Sequence, residues 1–307
     1  MSQRVVVAGS SGLIGGALCA SLRGRGDEVV RLVRRPAAAP DEVTWDPSSG
    51  VLPMDALDGV AAVVNLAGAG VGDRRWSEDY KRTIVSSRLD TTGTLAEAVA
   101  GLATSGQSPR LVVGTAVGYY GDRGEEELTE ESAKGDGFLA DLVRDWEAAA
   151  DPAIRAGVST AFARTGLVLT PEGGAMAPIL TLARLGLAGP MGSGRQYWPW
   201  ITLEDEVRAL LHLIDSPDVV GPVNLASPAP ARQREITSAL GAALHRPALL
   251  PAPALALRLV VGGFAGEILG SQRIVGRVLA DSGFAWSQPD LASAVHWLLT
   301  PSTARTS

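Results

Sequence analysis

Arg4-Val5-Val6-Val7-Ala8-Gly9-Ser10-Ser11-Gly12-Leu13-Ile14-Gly15 is the stretch whose reading decides the fold. An apolar run enters glycines spaced G-x-x-G-x-x-G, and Gly16 to Arg23 continue as a helix. Strand, glycine turn and helix in that order make a dinucleotide-binding turn. Gly9 permits the tight turn, Gly12 lets the backbone approach a pyrophosphate, and Gly15 lets helix and strand pack closely. The helix dipole favours negative charge at its first amides. The whole turn, Gly9, Ser10, Ser11, Gly12, Leu13, Ile14 and Gly15, is therefore expected to hold a nucleotide's phosphates.

Outward from this turn, strands and helices alternate. Val29–Val33, Val60–Leu66, Arg110–Gly114 and Thr160–Leu169 read as strands, and Ser86–Leu102 and Phe138–Ala150 as helices. Nearly continuous apolar strands separated by helices predict a doubly wound parallel α/β sheet of Rossmann type, buried on both faces. Such sheets bind ligands at the carboxyl ends of their strands. There this chain places Asn65-Leu66-Ala67-Gly68 and Thr115-Ala116-Val117-Gly118-Tyr119-Tyr120-Gly121. The segment from Pro171 to Pro199 is rich in Gly and Pro, Leu203–Asp215 reads as a helix, and Gly221–Ala226 as a returning strand. The expected organisation is a nucleotide-binding domain over residues 1–170, rejoined by 200–228, with a smaller, mostly helical substrate lobe from 171–199 and 229–300. The tail Pro301–Ser307 is expected to fray.

The residue after the second strand separates NAD from NADP: an acid binds the ribose hydroxyl, an arginine accommodates a 2′-phosphate. Val33 is followed by Arg34 and Arg35, and the acids Asp27 and Glu28 lie at the strand's other end. A guanidinium grips phosphate bidentately, so NADP(H) is the expected cofactor, with Val33, Arg34 and Arg35 at the phosphate.

Composition bounds the rest. Of 307 residues, 46% are hydrophobic and 20% charged, enough for a large core, and the net charge of −6 comes without long runs of one sign. Neither nucleic-acid nor membrane-surface binding is expected as the main activity. The single cysteine, Cys19, excludes an internal disulfide and a cysteine-based zinc site, and reads as a core residue. No signal peptide is expected before the first strand. Leu249–Gly270 is interrupted by Pro251, Pro253, Arg258 and Glu267, so it reads as amphipathic helices rather than a span. The expected setting is cytoplasmic, with a small molecule as partner. His212, His245 and His296 lack metal-ligand spacing and read as packed or capping residues.

Together, Gly9–Gly15, Asn65–Gly68, the Gly118-Tyr119-Tyr120-Gly121 loop and Arg164-Thr165-Gly166 resemble an extended short-chain dehydrogenase/reductase. Arg75-Trp76, Ser87-Arg88, Thr91-Thr92, Phe138-Leu139, Trp146-Glu147, Gly173-Gly174-Ala175, Gly192 to Gln196 and Trp200-Ile201 narrow this to an atypical branch. That branch is the NAD(P)-dependent epimerase/dehydratase-like family with a C-terminal domain of unknown function. The resemblance implies an NADP-binding Rossmann fold, with Asn65, Leu66, Ala67, Gly68, Arg88, Arg164 and Val168 at the cofactor cleft.

One departure from the superfamily stands out. Its acid/base is a tyrosine with a lysine four residues on, whose ammonium lowers the phenol pKa. The four tyrosines here, Tyr80, Tyr119, Tyr120 and Tyr197, are followed at that spacing by Ile84, Arg123, Gly124 and Ile201. Leu139 and Val143 stand where the pair is expected. Thr115, Tyr119 and Tyr120 are the remaining catalytic candidates, with Asp122 next in line. Two functions stay open: an NADP(H)-dependent oxidoreductase or epimerase, and a non-catalytic NADP(H)-binding sensor or scaffold.

Overall fold

The computed structural model describes residues 2–300 and is built on a parallel sheet of seven strands. Its first half runs β1 (Arg4–Ala8), α1 (Leu13–Gly24), β2 (Glu28–Val33), β3 (Glu42–Thr44), β4 (Ala62–Asn65), α2 (Glu78–Thr104) and β5 (Arg110–Ala116). There follow β6 (Glu127–Leu128), α3 (Phe138–Ala148), α4 (Asp151–Arg155), β7 (Thr160–Thr165), β8 (Leu167–Leu169) and α5 (Met176–Arg184). Next come β9 (Tyr197–Trp198), β10 (Trp200–Thr202), α6 (Leu203–Asp215), β11 (Gly221–Leu225), β12 (Ala231–Arg232) and α7 (Gln233–Ala243). The chain closes with α8 (Ala254–Val261), α9 (Ala265–Leu269), β13 (Arg273–Ile274), α10 (Arg277–Asp281) and α11 (Leu291–Leu299). The tail Pro301–Ser307 lies outside the described residues.

In the large sheet the order is β11-β7-β5-β4-β1-β2-β3. Val5 pairs with Val29 on one side and Ala62 on the other, so the order reverses between β1 and β4. This is the doubly wound arrangement, and the reversal opens a crevice at the strands' carboxyl ends. The strand pleat divides the apolar residues between two cores. Val5, Val7, Val64, Val112 and Ala163 face α1 and α6, and Cys19 is buried there. Val6, Ala8, Val63, Val113 and Phe162 face α2, α3 and α4.

Three elements differ from expectation. The run Thr160–Leu169 is cut at Gly166: β7 stays in the sheet, while β8 turns away to pair with β10. The backbone of Pro199 crosses there, and a side chain at Gly166 would meet its carbonyl oxygen at 2.5 Å. The strand β3 is unexpected because Glu42-Val43-Thr44 has three residues and no apolar alternation. It forms at the sheet edge by pairing with β2. The helix α2 starts eight residues before Ser86, because Ser77 caps it, its Oγ accepting from Tyr80 N at 3.1 Å.

A third core brings α5, α7 and α11 around Trp198 and Trp200. The indoles of both tryptophans donate to main-chain carbonyls, of Ile268 and Ala229, so they serve packing. The Leu249–Gly270 stretch forms the short helices α8 and α9, and among the described residues no helix is long and apolar enough to cross a membrane.

Candidate functional site

A groove of about 1090 Å³ lies at the carboxyl ends of β1, β2 and β4, where the strand order reverses. Gly9 to Gly12 form its floor, Arg31 to Arg35 and Glu42 one end, and Leu66 to Ala69 the opposite wall. Beyond that wall it extends to Tyr80, Ser87, Asp90 and Thr91 on α2.

The three glycines of the turn sit in different surroundings. Gly9 has φ of +83°, and a Cβ on it would stand 2.5 Å from the Leu66 carbonyl. A Cβ on Gly15 would lie 2.2 Å from the Gly9 oxygen, so this glycine is required for close helix–turn packing. On Gly12 a Cβ would meet nothing nearer than the Gly9 oxygen at 3.3 Å; its other side is the open groove. Gly12 is also the N-cap of α1, and no side chain caps that helix. The side chains of Leu13 and Ile14 pack into the first core, so at this turn they offer backbone only. Room, an uncapped helix start and the positive dipole end together fit a pyrophosphate.

At the end of β2 the two expected arginines separate. Glu42 accepts from Arg35 Nη2 at 2.6 Å and Nη1 at 2.7 Å, and also pairs with Arg31 at 3.2 Å. The arginine beside it holds the Glu42 carboxyl down at about 2. A carboxylate thus stands beside Arg35, although Asp27 and Glu28 lie at the other end of β2. Glu42 follows Arg35 by seven residues and is brought beside it where β3 pairs with β2. Arg34 lines the groove, is exposed, and has no hydrogen bond or ion pair among the described residues.

Asn65 does not face the groove. It is fully buried, donating to Thr91 Oγ1 at 3.2 Å and Thr92 Oγ1 at 2.9 Å and accepting from Ala67 N at 3.1 Å. It shapes the Leu66-Ala67-Gly68 turn that does line the groove.

The ends of β5 and β7 carry the catalytic candidates. Thr115 stands in register with Arg164, on the face that α3 covers. Thr115 Oγ1 donates to Glu147 Oε1 at 3.3 Å; Arg164 Nε and Nη2 grip the same carboxylate at 2.8 and 2.7 Å. Arg164 Nη1 donates to Tyr120 Oη at 2.9 Å, and Tyr120 donates to Asn224 Oδ1 at 2.8 Å. Two expectations are corrected here. Tyr120 is fully buried in this network rather than offered to a substrate, and burial pushes its phenol pKa up. Arg164 is held by Glu147 and Tyr120 and is not among the residues that line the groove. Tyr119 is half-buried, its ring centroid 3.6 Å from the Arg164 guanidinium carbon. Val168 is a third correction: it packs against the first core, away from the groove wall.

Arg88 is buried on α2, with Nη1 donating to Ala69 O at 2.8 Å and Ile84 O at 3.1 Å and its Cζ 4.9 Å from the Trp146 ring centroid. The acids after the tyrosine loop are tied down rather than merely solvated: Glu125 pairs with Arg232, Glu126 with Arg123 and Glu127 with Arg273. Asp122 accepts from the amide of Ser271. Two carboxyls escaped the sequence reading. Glu267 on α9 is pushed up to about 7 by burial, with Asp122 adding to the effect. Glu206 is fully buried on α6, accepts from Thr165 Oγ1 at 2.7 Å, and is pushed up to about 8 by burial. Its position on the apolar stripe between Leu203 and Leu210 was the available signal. His212 is packed as expected, against Phe284 and Ser282.

Residues 5–141 match the NAD dependent epimerase/dehydratase family, and residues 252–298 a domain of unknown function, DUF1731. An epimerase family protein of Mycobacterium tuberculosis is 44% identical over 299 residues, covering 96% of this chain and 97% of the relative. The crystal structure of human epimerase family protein SDR39U1 (isoform 2) with NADPH superposes with a TM-score of 0.86 at 36% identity, covering 96% of this chain and 98% of that one. A nucleoside-diphosphate sugar epimerase from Corynebacterium glutamicum gives a TM-score of 0.80 at 34% identity, covering 97% of this chain but 58% of that one. With a glycine turn built for a dinucleotide, a doubly wound sheet and full-length relatives of this identity, the chain belongs to the NAD-dependent epimerase/dehydratase family, in the SDR39U1-like group that carries DUF1731 at its C-terminus.

Proposed function

We propose that the groove binds NADP(H) and that the chain is an NADP(H)-dependent oxidoreductase or epimerase acting on a small oxygenated, sugar-nucleotide-like substrate. The observation that carries the cofactor choice is Arg34. Among the described residues it has no partner, and it stands at the end of β2 on the wall of a groove whose floor suits a pyrophosphate. The NADPH in the human relative and the name of the Corynebacterium glutamicum relative support the same reading. When bound, the cofactor supplies hydride transfer. The chain's own part is to hold the phosphates at Gly9 to Gly15 and Arg34, and to keep protons close at hand. Thr115, whose hydroxyl meets Glu147, and Tyr119 beside Arg164 are the groups this reading assigns to that work. The test is a calorimetric titration with NADPH and NADH, then turnover with NADP(H) and a panel of nucleoside-diphosphate sugars and small carbonyl compounds. Equal affinity for the two cofactors overturns the cofactor choice.

A second reading, a non-catalytic NADP(H) sensor or scaffold, is favoured by the Leu139 and Val143 pair on α3 and by the burial of Tyr120. Tight NADPH binding without turnover on any of these substrates selects it.

A further inference from the structure

The C-terminal lobe carries a face built from two stretches that contain no acid. Of the 33 Asp and Glu residues, none falls within residues 173–203 or 236–266. The fold lays these two stretches side by side. Leu250 N donates to Ala188 O at 3.3 Å, Ala252 N to Pro190 O at 2.9 Å and Gly192 N to Ala252 O at 2.8 Å. Gly189 has no room for a side chain there, since a Cβ would lie 2.1 Å from the Leu250 oxygen.

Most of the exposed large aliphatic side chains among the described residues belong to these stretches, and exposed apolar patches of this kind mark contact sites. Leu249 is 80% exposed, Leu255 69% and Leu259 68%. Leu255, Arg258 and Leu259 share one side of α8 by helical spacing, and no residue of α8 is buried. Three exposed arginines, Arg184, Arg246 and Arg258, accompany the leucines. None of the three has a side-chain hydrogen bond or ion pair among the described residues. By contrast Arg23, Arg35 and Arg144, also exposed, are each paired with a carboxylate. None of the leucines or arginines of this face lines the cofactor groove.

We propose that this face docks on an anionic phospholipid membrane, as a peripheral contact that leaves the rest of the chain outside the bilayer. The protruding leucines enter the acyl boundary, and the arginines stay at the lipid phosphates, which supply the opposite charge this face lacks. Two features select this occupant. The apolar pocket shared by Leu182, Leu187 and Leu250 holds about 40 Å³, too little to seat the side-chain anchors of a protein partner. A fluid acyl layer needs no pocket, because it moulds itself to what protrudes. A second copy of the chain would set the same unpaired arginines against each other. The acids that make the chain −6 overall lie outside both stretches, and at physiological salt charges beyond about 8 Å are largely screened.

The experiment is vesicle flotation of the full chain, with phosphatidylcholine alone and with a two-to-one mixture of phosphatidylcholine and phosphatidylglycerol. Wild type should bind the anionic vesicles roughly tenfold or more better than the neutral ones, and high salt should release it. Leu255→Ser with Leu259→Ser should abolish binding. Arg246→Gln with Arg258→Gln should bring binding to anionic vesicles down toward the neutral level. Val220→Ser, at an exposed apolar residue outside both stretches, should bind as wild type does. All these side chains are exposed, so the variants should melt as wild type does, which melting curves check. A wild type that ignores anionic vesicles overturns the proposal, and so does a folded leucine variant that still binds them. Sedimentation velocity without vesicles tests the other occupant: self-association that the leucine variant loses, with no vesicle binding, assigns the face to a second copy and overturns the membrane contact.

Discussion

Glu42 Oε1 lies 2.6 Å from Arg35 Nη2, which fixes one of the two arginines after β2 and leaves its neighbour Arg34 to the groove. Two adjacent residues of one type thus have different roles. Arg34→Ala should weaken NADPH by ~1.5–3 kcal/mol, the range for hydrogen bonds to charged groups, and leave NADH nearly unchanged. Arg35→Ala should cost less toward NADPH. Calorimetric titration of both variants with both cofactors decides; if Arg34→Ala keeps its preference for NADPH, the assignment is wrong.

The glycines of the turn should fail in different ways. Gly15→Ala places a methyl 2.2 Å from the Gly9 oxygen and should lower the melting temperature sharply. Gly12→Val points into the groove, so the variant should fold near normally and lose NADPH. Melting curves with and without NADPH distinguish the two. A Gly12→Val protein of wild-type affinity would make the turn structural only.

Glu206 should impose a pH dependence on stability. Its folded pKa is raised, from 4.5 to about 8, so the fold favours the protonated form. Its contribution to stability is present below about pH 4.5 and is lost as pH rises toward 8, by up to about 1.4 kcal/mol for each pH step of one across that window. Glu206→Gln, which is neutral throughout, should melt increasingly above wild type as pH is raised across this window. A difference that stays constant with pH argues against a protonated Glu206.

The Glu147–Arg164–Tyr120 network should behave as scaffold. Glu147→Gln weakens a buried two-pronged ion pair and leaves Arg164 without its counter-charge, a loss of the order of 3–5 kcal/mol. Tyr120→Phe removes two buried hydrogen bonds and leaves Asn224 and Arg164 short of partners, about 1–3 kcal/mol. Denaturant titration measures both. NADPH affinity in folded Tyr120→Phe should equal wild type; a large drop would return Tyr120 to the binding site.

Near neutral pH, Glu267 should titrate. Its carboxyl is held at about 7, so a substrate reaction that uses it should show a pH–rate inflection close to that value. Glu267→Gln should abolish the inflection, while Asp122→Asn should move it downward by removing a neighbouring negative charge.

What the sequence determined by itself is local. Glycine spacing after an apolar strand specifies the turn, because it depends on contacts within a few residues: Gly9 and Gly15 stand where a side chain would collide, and Gly12 borders the groove. Alternating apolar strands and helices likewise specify a parallel sheet with helices on its faces, since that stacking buries both faces. What the tertiary structure decided is which polar groups find partners. Glu42 reaches Arg35 through strand pairing, Glu147 reaches Arg164 across a helix–sheet contact, and Asn224 closes on Tyr120 across 104 residues. These pairings tie Arg35 to Glu42 and draw Arg164 and Tyr120 into a buried network, and among the described residues they leave Arg34 without a carboxylate. A charged or hydroxyl group binds a ligand only where the fold has not already satisfied it, and that depends on neighbours brought together from distant parts of the chain.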